Sequence, residues 1–222
     1  MTINSIFTNA NNREQTLATD RQMLFLLLAH IPVVGLWVPA EYGTIAFALV
    51  SSVLVGVLAV VTYVFFRGDR ACGLLFSAFL MAFSAIMIQA QLGRIEMHFH
   101  IFSALALTIV YRDIAVILVA VIVITGHHLL LTGLQLSNAS AFGMQVTIFN
   151  YGCSWSIAFL HAAFVVFEGS ILAYFAHGMA VERRRNNEMV AVINEFEVNQ
   201  ILTSRLSYQD PASLAFNNLM NG

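Results

Sequence analysis

Six long apolar runs, separated by short polar segments, dominate the chain from residue 22 to residue 179. An apolar run of about 20 residues is long enough to cross the hydrocarbon core of a bilayer as an α-helix. In lipid such a segment must satisfy its own backbone hydrogen bonds, which a helix does. We therefore predict an all-α integral membrane bundle of about six transmembrane helices. The predicted spans are Gln22–Pro39, Thr44–Phe66, Ala71–Leu92, Ile95–Tyr111, Ile114–Leu136 and Gly152–Met179.

The two ends of the chain are more polar than its centre. Residues 1–21 lack the apolar central region of a signal peptide, so they are predicted to be a cytoplasmic segment before a retained first helix. Residues 180–222 are predicted to be a cytoplasmic signalling helix and linker. Within them, apolar residues recur at helical spacing, which predicts a helix that leaves the membrane and packs against a partner. These apolar residues are Met189, Val192, Ile193, Phe196 and Ile201.

Arginine placement predicts the orientation of the bundle. Nine of the ten arginines fall on one side of the predicted spans, and Arg94 alone falls on the other. Because loops rich in Lys and Arg face the cytoplasm, both termini are predicted to be cytoplasmic. The predicted outer loops are too short to form a folded extracellular binding domain. A stimulus must then be recognised within the membrane or at its outer surface.

Composition agrees with a membrane protein and argues against nucleic-acid binding. The chain is 59% hydrophobic and 10% charged, whereas soluble domains are about 25% charged. The net charge of −2 provides no basic surface for nucleic acid.

Seven histidines are the most informative polar residues, because ionisable groups within lipid are costly and usually functional. Six of them are predicted to lie roughly 5 to 15 Å below the outer surface, where four helices place imidazoles in one layer. These six are His30, His98, His100, His127, His128 and His161.

Helical geometry limits which side chains can share a site. His98 and His100 are two residues apart, so they point to nearly opposite faces unless the helix start is irregular. Glu96 shares a face with His100. His161 and Glu168 are seven residues apart and also share a face, which places a carboxylate deeper in the bundle.

Three interpretations of the histidines remain open at this point. A transition metal such as copper, zinc or iron could be held by three or four imidazoles, with Glu96 as a further ligand. Two histidines could instead clamp a non-covalent haem b, since the chain has no Cys-x-x-Cys-His attachment motif. The third interpretation is an interhelical hydrogen-bond network without a cofactor.

The order and spacing of several motifs resemble the membrane input region of bacterial signalling proteins. The matching residues are Ile95-Glu96-Met97-His98-Phe99-His100-Ile101-Phe102, Tyr111-Arg112-Asp113, His127-His128 and His161-Ala162-Ala163-Phe164-Val165 with Glu168. Such regions precede methyl-accepting chemotaxis domains, histidine kinases or GGDEF cyclases. The resemblance implies that His98, His100, His128 and His161 form the site. Glu96, His127 and His30 are predicted as further cofactor-binding residues, and Glu168 as the residue that transmits the signal. The resemblance also implies that the protein lies in a bacterial inner membrane.

The tail has a resemblance of its own. Ile201-Leu202-Thr203-Ser204-Arg205-Leu206, Asp210 and the run from Ala215 to Met220 are similar to the end of a HAMP-type linker in chemoreceptors. This resemblance implies a sensory input domain rather than an enzyme. It also implies a homodimer in membrane lipid that controls a cytoplasmic kinase through a coupling protein and an output domain. The alternatives are a membrane redox protein with haem or metal, and a transporter that uses Glu168 and the histidines as a relay.

Overall fold

A computed structural model describes residues 3–199 and 211–219. Seven α-helices and one small antiparallel hairpin make up this part of the chain. The helices are α1 (Ile3–Pro32), α2 (Ile45–Phe66), α3 (Arg70–Ala90), α4 (Ile95–Leu107), α5 (Ile114–Leu136), α6 (Trp155–Asn199) and α7 (Pro211–Leu219). A π-helix (Val33–Trp37) follows α1, a 3-10 turn (Thr108–Tyr111) follows α4, and the hairpin pairs β1 (Ser140–Ala141) with β2 (Met144–Gln145).

The prediction of an all-α fold with several membrane-spanning helices is confirmed. In the described part of the chain, five helices are long and apolar enough to cross a bilayer, and Ile95–Tyr111 is a shorter apolar helix. Helix α3 packs against α1, α2, α4 and α5. Its most apolar stretch is 61% buried, against 17 to 33% for the other four long helices. Helix α3 is therefore the centre of the bundle.

Large apolar side chains face outward from the bundle. Trp37, Phe65 and Tyr174 are each more than 70% exposed, and many Val and Leu side chains of α2 and α5 are exposed as well. Such a surface would be costly in water, but lipid tails solvate it. Its extent agrees with a protein that is embedded in a membrane.

Helix α1 begins nineteen residues earlier than the predicted span, which starts at Gln22. Just before the predicted start, this helix carries Asp20, which is completely buried. Its carboxylate accepts hydrogen bonds from the Gly68 backbone N–H at 2.8 Å and the Tyr111 hydroxyl at 3.1 Å. These bonds fasten α1 to the α2–α3 turn and to the end of α4. Part of the polar segment 1–21 thus belongs to the bundle.

Helix α6 continues without interruption past the predicted span, which ends at Met179. At 1.5 Å per residue its 45 residues extend about 67 Å, more than twice the thickness of the hydrocarbon core. The predicted helical extension is thereby confirmed as far as Asn199. The motif from Ile201 to Leu206 and Asp210 lie outside the described residues, and Ala215 to Leu219 belong to α7.

The connections between helices fall at two ends of the bundle, named here for their characteristic residues. The histidine end contains residues 38–44, the turn at 91–94, and the capping loop, residues 137–154. The arginine end contains the α2–α3 turn at 67–69 and the α4–α5 connection at 112–113. At the arginine end, Asp113 caps α5 through the Ala115 N–H and pairs with Arg70 at 2.6 and 2.8 Å. The Arg70 guanidinium holds the pKa of Asp113 below its usual value.

Candidate functional site: two histidine clusters at one end of the bundle

Three of the four histidines predicted to form the site lie together between α4, α5 and α6. The ring centroid of His98 is 5.4 Å from that of His128 and 5.3 Å from that of His161, and the last two are 5.9 Å apart. His98 and His128 are buried, and His161 is partly buried. We call these three residues the open cluster.

Backbone hydrogen bonds fix the tautomer of every ring in the open cluster. The Nδ1 atoms of His98, His128 and His161 lie 3.1, 2.9 and 2.9 Å from the carbonyl oxygen four residues earlier in the same helix. A carbonyl only accepts hydrogen bonds, so each Nδ1 carries the proton and each neutral ring has its lone pair on Nε2. Metal-binding histidines commonly have their second nitrogen bonded in this way.

The lone pairs of the open cluster are mostly unused. The Nε2 atoms of His98 and His128 are buried and have no hydrogen-bond partner in the described part of the chain. The Nε2 of His161 accepts a hydrogen bond from the Tyr151 hydroxyl at 3.1 Å. Buried polar atoms without partners are rare and call for an explanation, such as an ion or a water molecule.

The spacing of the rings suits a shared ion. Imidazoles that bind one tetrahedral ion at nitrogen–metal distances of about 2.0–2.1 Å have ring centroids about 5 Å apart. Within residues 3–199 and 211–219, however, no group of three or more His, Cys, Asp or Glu side chains is placed so that it could hold a metal ion as it stands. The rings are therefore adjacent but not yet convergent, and ion binding requires them to turn their Nε2 atoms inward.

His100 does not join the open cluster, which departs from the four-histidine prediction. Two residues beyond His98, it lies on the opposite side of α4, where its Nε2 is 3.2 Å from the Nε2 of His30. The Nδ1 of His30 donates to the Leu26 carbonyl at 2.7 Å, so its Nε2 must accept from His100. The Ser84 hydroxyl is then the donor to the Nδ1 of His100, at 2.8 Å.

We call Ser84, His100 and His30 the closed cluster, because each ring nitrogen in it has a partner. This arrangement matches the hydrogen-bond network among the three interpretations of the histidines. The histidines on the two sides of α4 thus differ in how completely their ring nitrogens are hydrogen-bonded. One cluster is satisfied by the protein alone, whereas the other leaves two buried acceptors without donors.

The remaining predicted residues have separate positions. Glu96 is exposed and forms an ion pair with Arg94 at 2.8 Å. This pair and the Tyr42 hydroxyl raise the pKa of the Arg94 guanidinium. Glu96 therefore does not contact the histidines. His127 packs beside His128, with centroids 5.4 Å apart, but faces an apolar pocket of about 360 Å³ on the other side of α5.

Glu168 lies two helical turns from His161 toward the arginine end, about 10 Å along α6. Its Oε2 atom is buried and has no hydrogen-bond partner among the described residues. At the next residue, a Cβ added to Gly169 would lie 2.5 Å from a methyl group of Val121. Helices α5 and α6 thus approach each other closely at the residue that follows Glu168.

No protein-family model, curated protein or solved structure matches this chain.

The capping loop closes the open cluster from above. Its Ile148 and Phe149 side chains are 0% and 1% exposed. The Phe149 ring stacks on His98 at 5.5 Å between centroids and lies 4.9 Å from His161 and 6.0 Å from His128. A single phenyl ring therefore covers all three imidazoles.

Two glutamine side chains fasten the capping loop to the helices. Gln135 of α5 accepts from the N–H groups of Ile148 and Phe149 and donates to the Phe149 carbonyl. Gln89 of α3 accepts from the Thr147 N–H and donates to the Gln145 carbonyl. Because these amides replace the hydrogen bonds that water would provide, the inner part of the loop, residues 146–149, can pack into the bundle.

Sequence reasoning did not identify Phe149, Tyr151, Ser84 or Gln135 as parts of the site. Phenylalanine is frequent in this chain, and nothing in the loop's composition distinguishes one that is inserted. Gln135 and Ser84 did carry a signal, because each is a polar residue within a predicted apolar span. Such residues need a partner in lipid.

Proposed function

We propose that this chain is a membrane-embedded sensory input domain and that the open cluster binds a transition metal ion. The single observation that carries the proposal is the pair of buried, unpartnered Nε2 atoms of His98 and His128 beside the ring of His161. Three neutral imidazoles are ligands that suit zinc, copper and iron. Bound to them, such an ion would supply a change in charge or redox state within the bundle.

The packing favours a bare ion over a haem. An axial haem would have to enter between two imidazoles, and a porphyrin is much wider than the space there. The three rings lie within 5.9 Å of one another and are covered by Phe149. A metal ion requires the three rings to turn their Nε2 atoms toward one another, which alters their hydrogen bonds to the backbone carbonyls.

Tyr151 couples the cluster to the capping loop. Its hydroxyl occupies the lone pair of His161 that an ion would take. Binding therefore releases Tyr151 or recruits its oxygen as a further ligand, and either event changes how the loop is held. A ligand that binds one arrangement of a protein more tightly than another shifts the population toward it.

Helix α6 offers a continuous route from the site to the far end of the protein. It carries His161, then Glu168 and the close contact of Gly169 with α5, and then the extension to Asn199. We propose that the arginine end faces the cytoplasm, as the positive-inside rule predicts. In this proposal, α6 passes the change to a chemoreceptor-type output domain, in a homodimer that acts on a cytoplasmic kinase through a coupling protein.

Hydrogen exchange with and without Zn²⁺ or Cu²⁺ tests both parts of the proposal on the purified chain. The expected result is altered protection in the capping loop and in residues 180–193 of α6, and no change in the His128→Ala variant. The matched control is His100→Ala in the closed cluster, which should still respond. If the ion binds but α6 does not change, the sensory role is refuted while the metal site stands. Absence of binding refutes both.

A redox protein is the second candidate, since copper or iron in the open cluster could carry an electron. An ion that cycles between oxidation states and is reduced by quinol in the purified protein would favour this candidate over the sensor.

A further inference from the structure

The arginine end contains a cavity of about 670 Å³ that the proposed metal site does not use. It lies between α1, the α2–α3 turn, the α4–α5 connection and the part of α6 that follows His177. Its polar lining includes Thr19, Arg70, Arg112, His177, Arg183 and Arg184. The cavity shares no lining residue with the open cluster or the closed cluster.

Arg112 is the unusual member of this lining. Its backbone is in the left-handed region, with φ of 52°, which favours glycine and is strained for other residues. Its guanidinium Nε is buried and has no hydrogen-bond partner in the described part of the chain. A buried guanidinium nitrogen without an acceptor calls for an explanation, such as a bound anion.

Positive charge exceeds negative charge around the cavity. The carboxylate of Asp113 is already engaged by Arg70. Arg112 and Arg183 both line the cavity, and burial together with the positive charge of Arg112 lowers the pKa of the Arg183 guanidinium. Arg184 adds a third positive charge to the lining, and Asp69 is the other carboxylate there. An anion between Arg112 and Arg183 would offset the repulsion between the two positive charges. It would also supply an acceptor for the buried Nε of Arg112.

We propose that this cavity binds a phosphate group between Arg112 and Arg183. Guanidinium groups match phosphate oxygens in geometry as well as in charge. The phosphate could belong to the headgroup of an anionic phospholipid or to a soluble phosphate. Basic pockets between transmembrane helices are suited to lipid headgroups. The positive-inside rule accounts for arginines on this side of the bundle, but it does not account for the buried Nε of Arg112 that has no hydrogen-bond partner in the described part of the chain.

Native mass spectrometry of the full chain in a neutral detergent tests the site. Phosphatidylglycerol, phosphatidylcholine and inorganic phosphate are the three probes. The expected result is one phosphatidylglycerol or one phosphate per chain, bound more tightly than phosphatidylcholine, and the tighter of the two identifies the source. Arg112→Gln should weaken binding by about tenfold or more, the typical loss for a charged hydrogen bond.

Arg67→Gln is the matched control, because Arg67 is exposed at the same end of the bundle and packs on Tyr63 outside the cavity. It should leave binding unchanged. The proposal is overturned if neither phosphatidylglycerol nor phosphate binds, or if Arg67→Gln weakens binding as much as Arg112→Gln does.

A second variant separates the site from folding. Arg112→Gly removes the guanidinium and relaxes the left-handed backbone, so without ligand its melting temperature should equal or exceed that of the unmodified chain. Phosphatidylglycerol and phosphate should then no longer raise it. A variant that melts higher and still responds to these probes would also overturn the proposal.

Discussion

Phe149→Ala should release the capping loop while leaving the helical bundle folded. The ring is 1% exposed and contacts all three imidazoles of the open cluster, so its removal leaves a cavity over them. Truncating a buried phenylalanine to alanine costs about 3–5 kcal/mol. This lost free energy should weaken the packing of the loop on the helices, because Ile148 and Phe149 hold the inner end of the loop. Helices α5 and α6 keep their own contacts.

The assay is hydrogen exchange at the backbone amides of the loop. The N–H groups of Ile148 and Phe149 donate to Gln135, and that of Asn150 donates to the Gly93 carbonyl. These amides exchange only when the loop opens. A loss of about 3 kcal/mol should therefore speed their exchange by about 100-fold or more.

Phe142→Ala is the matched control, because Phe142 lies in the same loop but is 86% exposed at the hairpin turn. Its substitution should leave exchange within about threefold of the unmodified chain. Unchanged exchange in Phe149→Ala, or an equal increase in Phe142→Ala, would refute the view that Phe149 anchors the loop.

Three further predictions follow from individual contacts. Gly93→Ala should destabilise the capping loop by about 1 kcal/mol or more and so lower the melting temperature. Gly93 has φ of +77°, and an added Cβ would lie 2.9 Å from the loop backbone. An unchanged melting temperature would contradict this contact. Tyr151→Phe should tighten Zn²⁺ binding by about two- to tenfold in chelator competition, because it removes the hydroxyl that donates to the Nε2 of His161. Weaker binding would instead indicate that Tyr151 is a ligand. The ion pair with Arg70 lowers the pKa of Asp113 in the folded protein below its ordinary value of 3.8. The pair therefore stabilises the protein above pH 3.8, and this stabilisation is lost as the pH falls through the lowered pKa. Melting curves should show this loss below about pH 3.8 in the unmodified chain and not in Asp113→Asn, and equal slopes would contradict it.

The sequence was sufficient to predict the spans because lipid imposes a simple pattern. Helices α4 with its 3-10 turn and α5 have the predicted bounds, Ile95–Tyr111 and Ile114–Leu136. The packing of Asp20 into the bundle was not predictable, because it depends on contacts with Gly68 and Tyr111. These contacts join parts of the chain that are distant in sequence.

Helical periodicity also predicted part of the arrangement of the histidines. The two-residue spacing of His98 and His100 already implied opposite faces, and the structure places them in different clusters. The motif resemblance grouped them, because it orders residues along the chain rather than around a helix. The capping loop was beyond prediction, since its position depends on Gln135 and Gln89 reaching its backbone from two helices.

The most direct test of the proposed site is the affinity of the purified chain for Zn²⁺ and Cu²⁺, measured by chelator competition on single-histidine variants. We predict one ion per chain, and a loss of affinity of at least about 100-fold in His98→Ala, His128→Ala and His161→Ala. The His30→Ala and His100→Ala variants should stay within about threefold of the unmodified chain, because the closed cluster is already satisfied. The account is contradicted if the unmodified chain binds neither ion, or if His100→Ala weakens binding as much as His98→Ala.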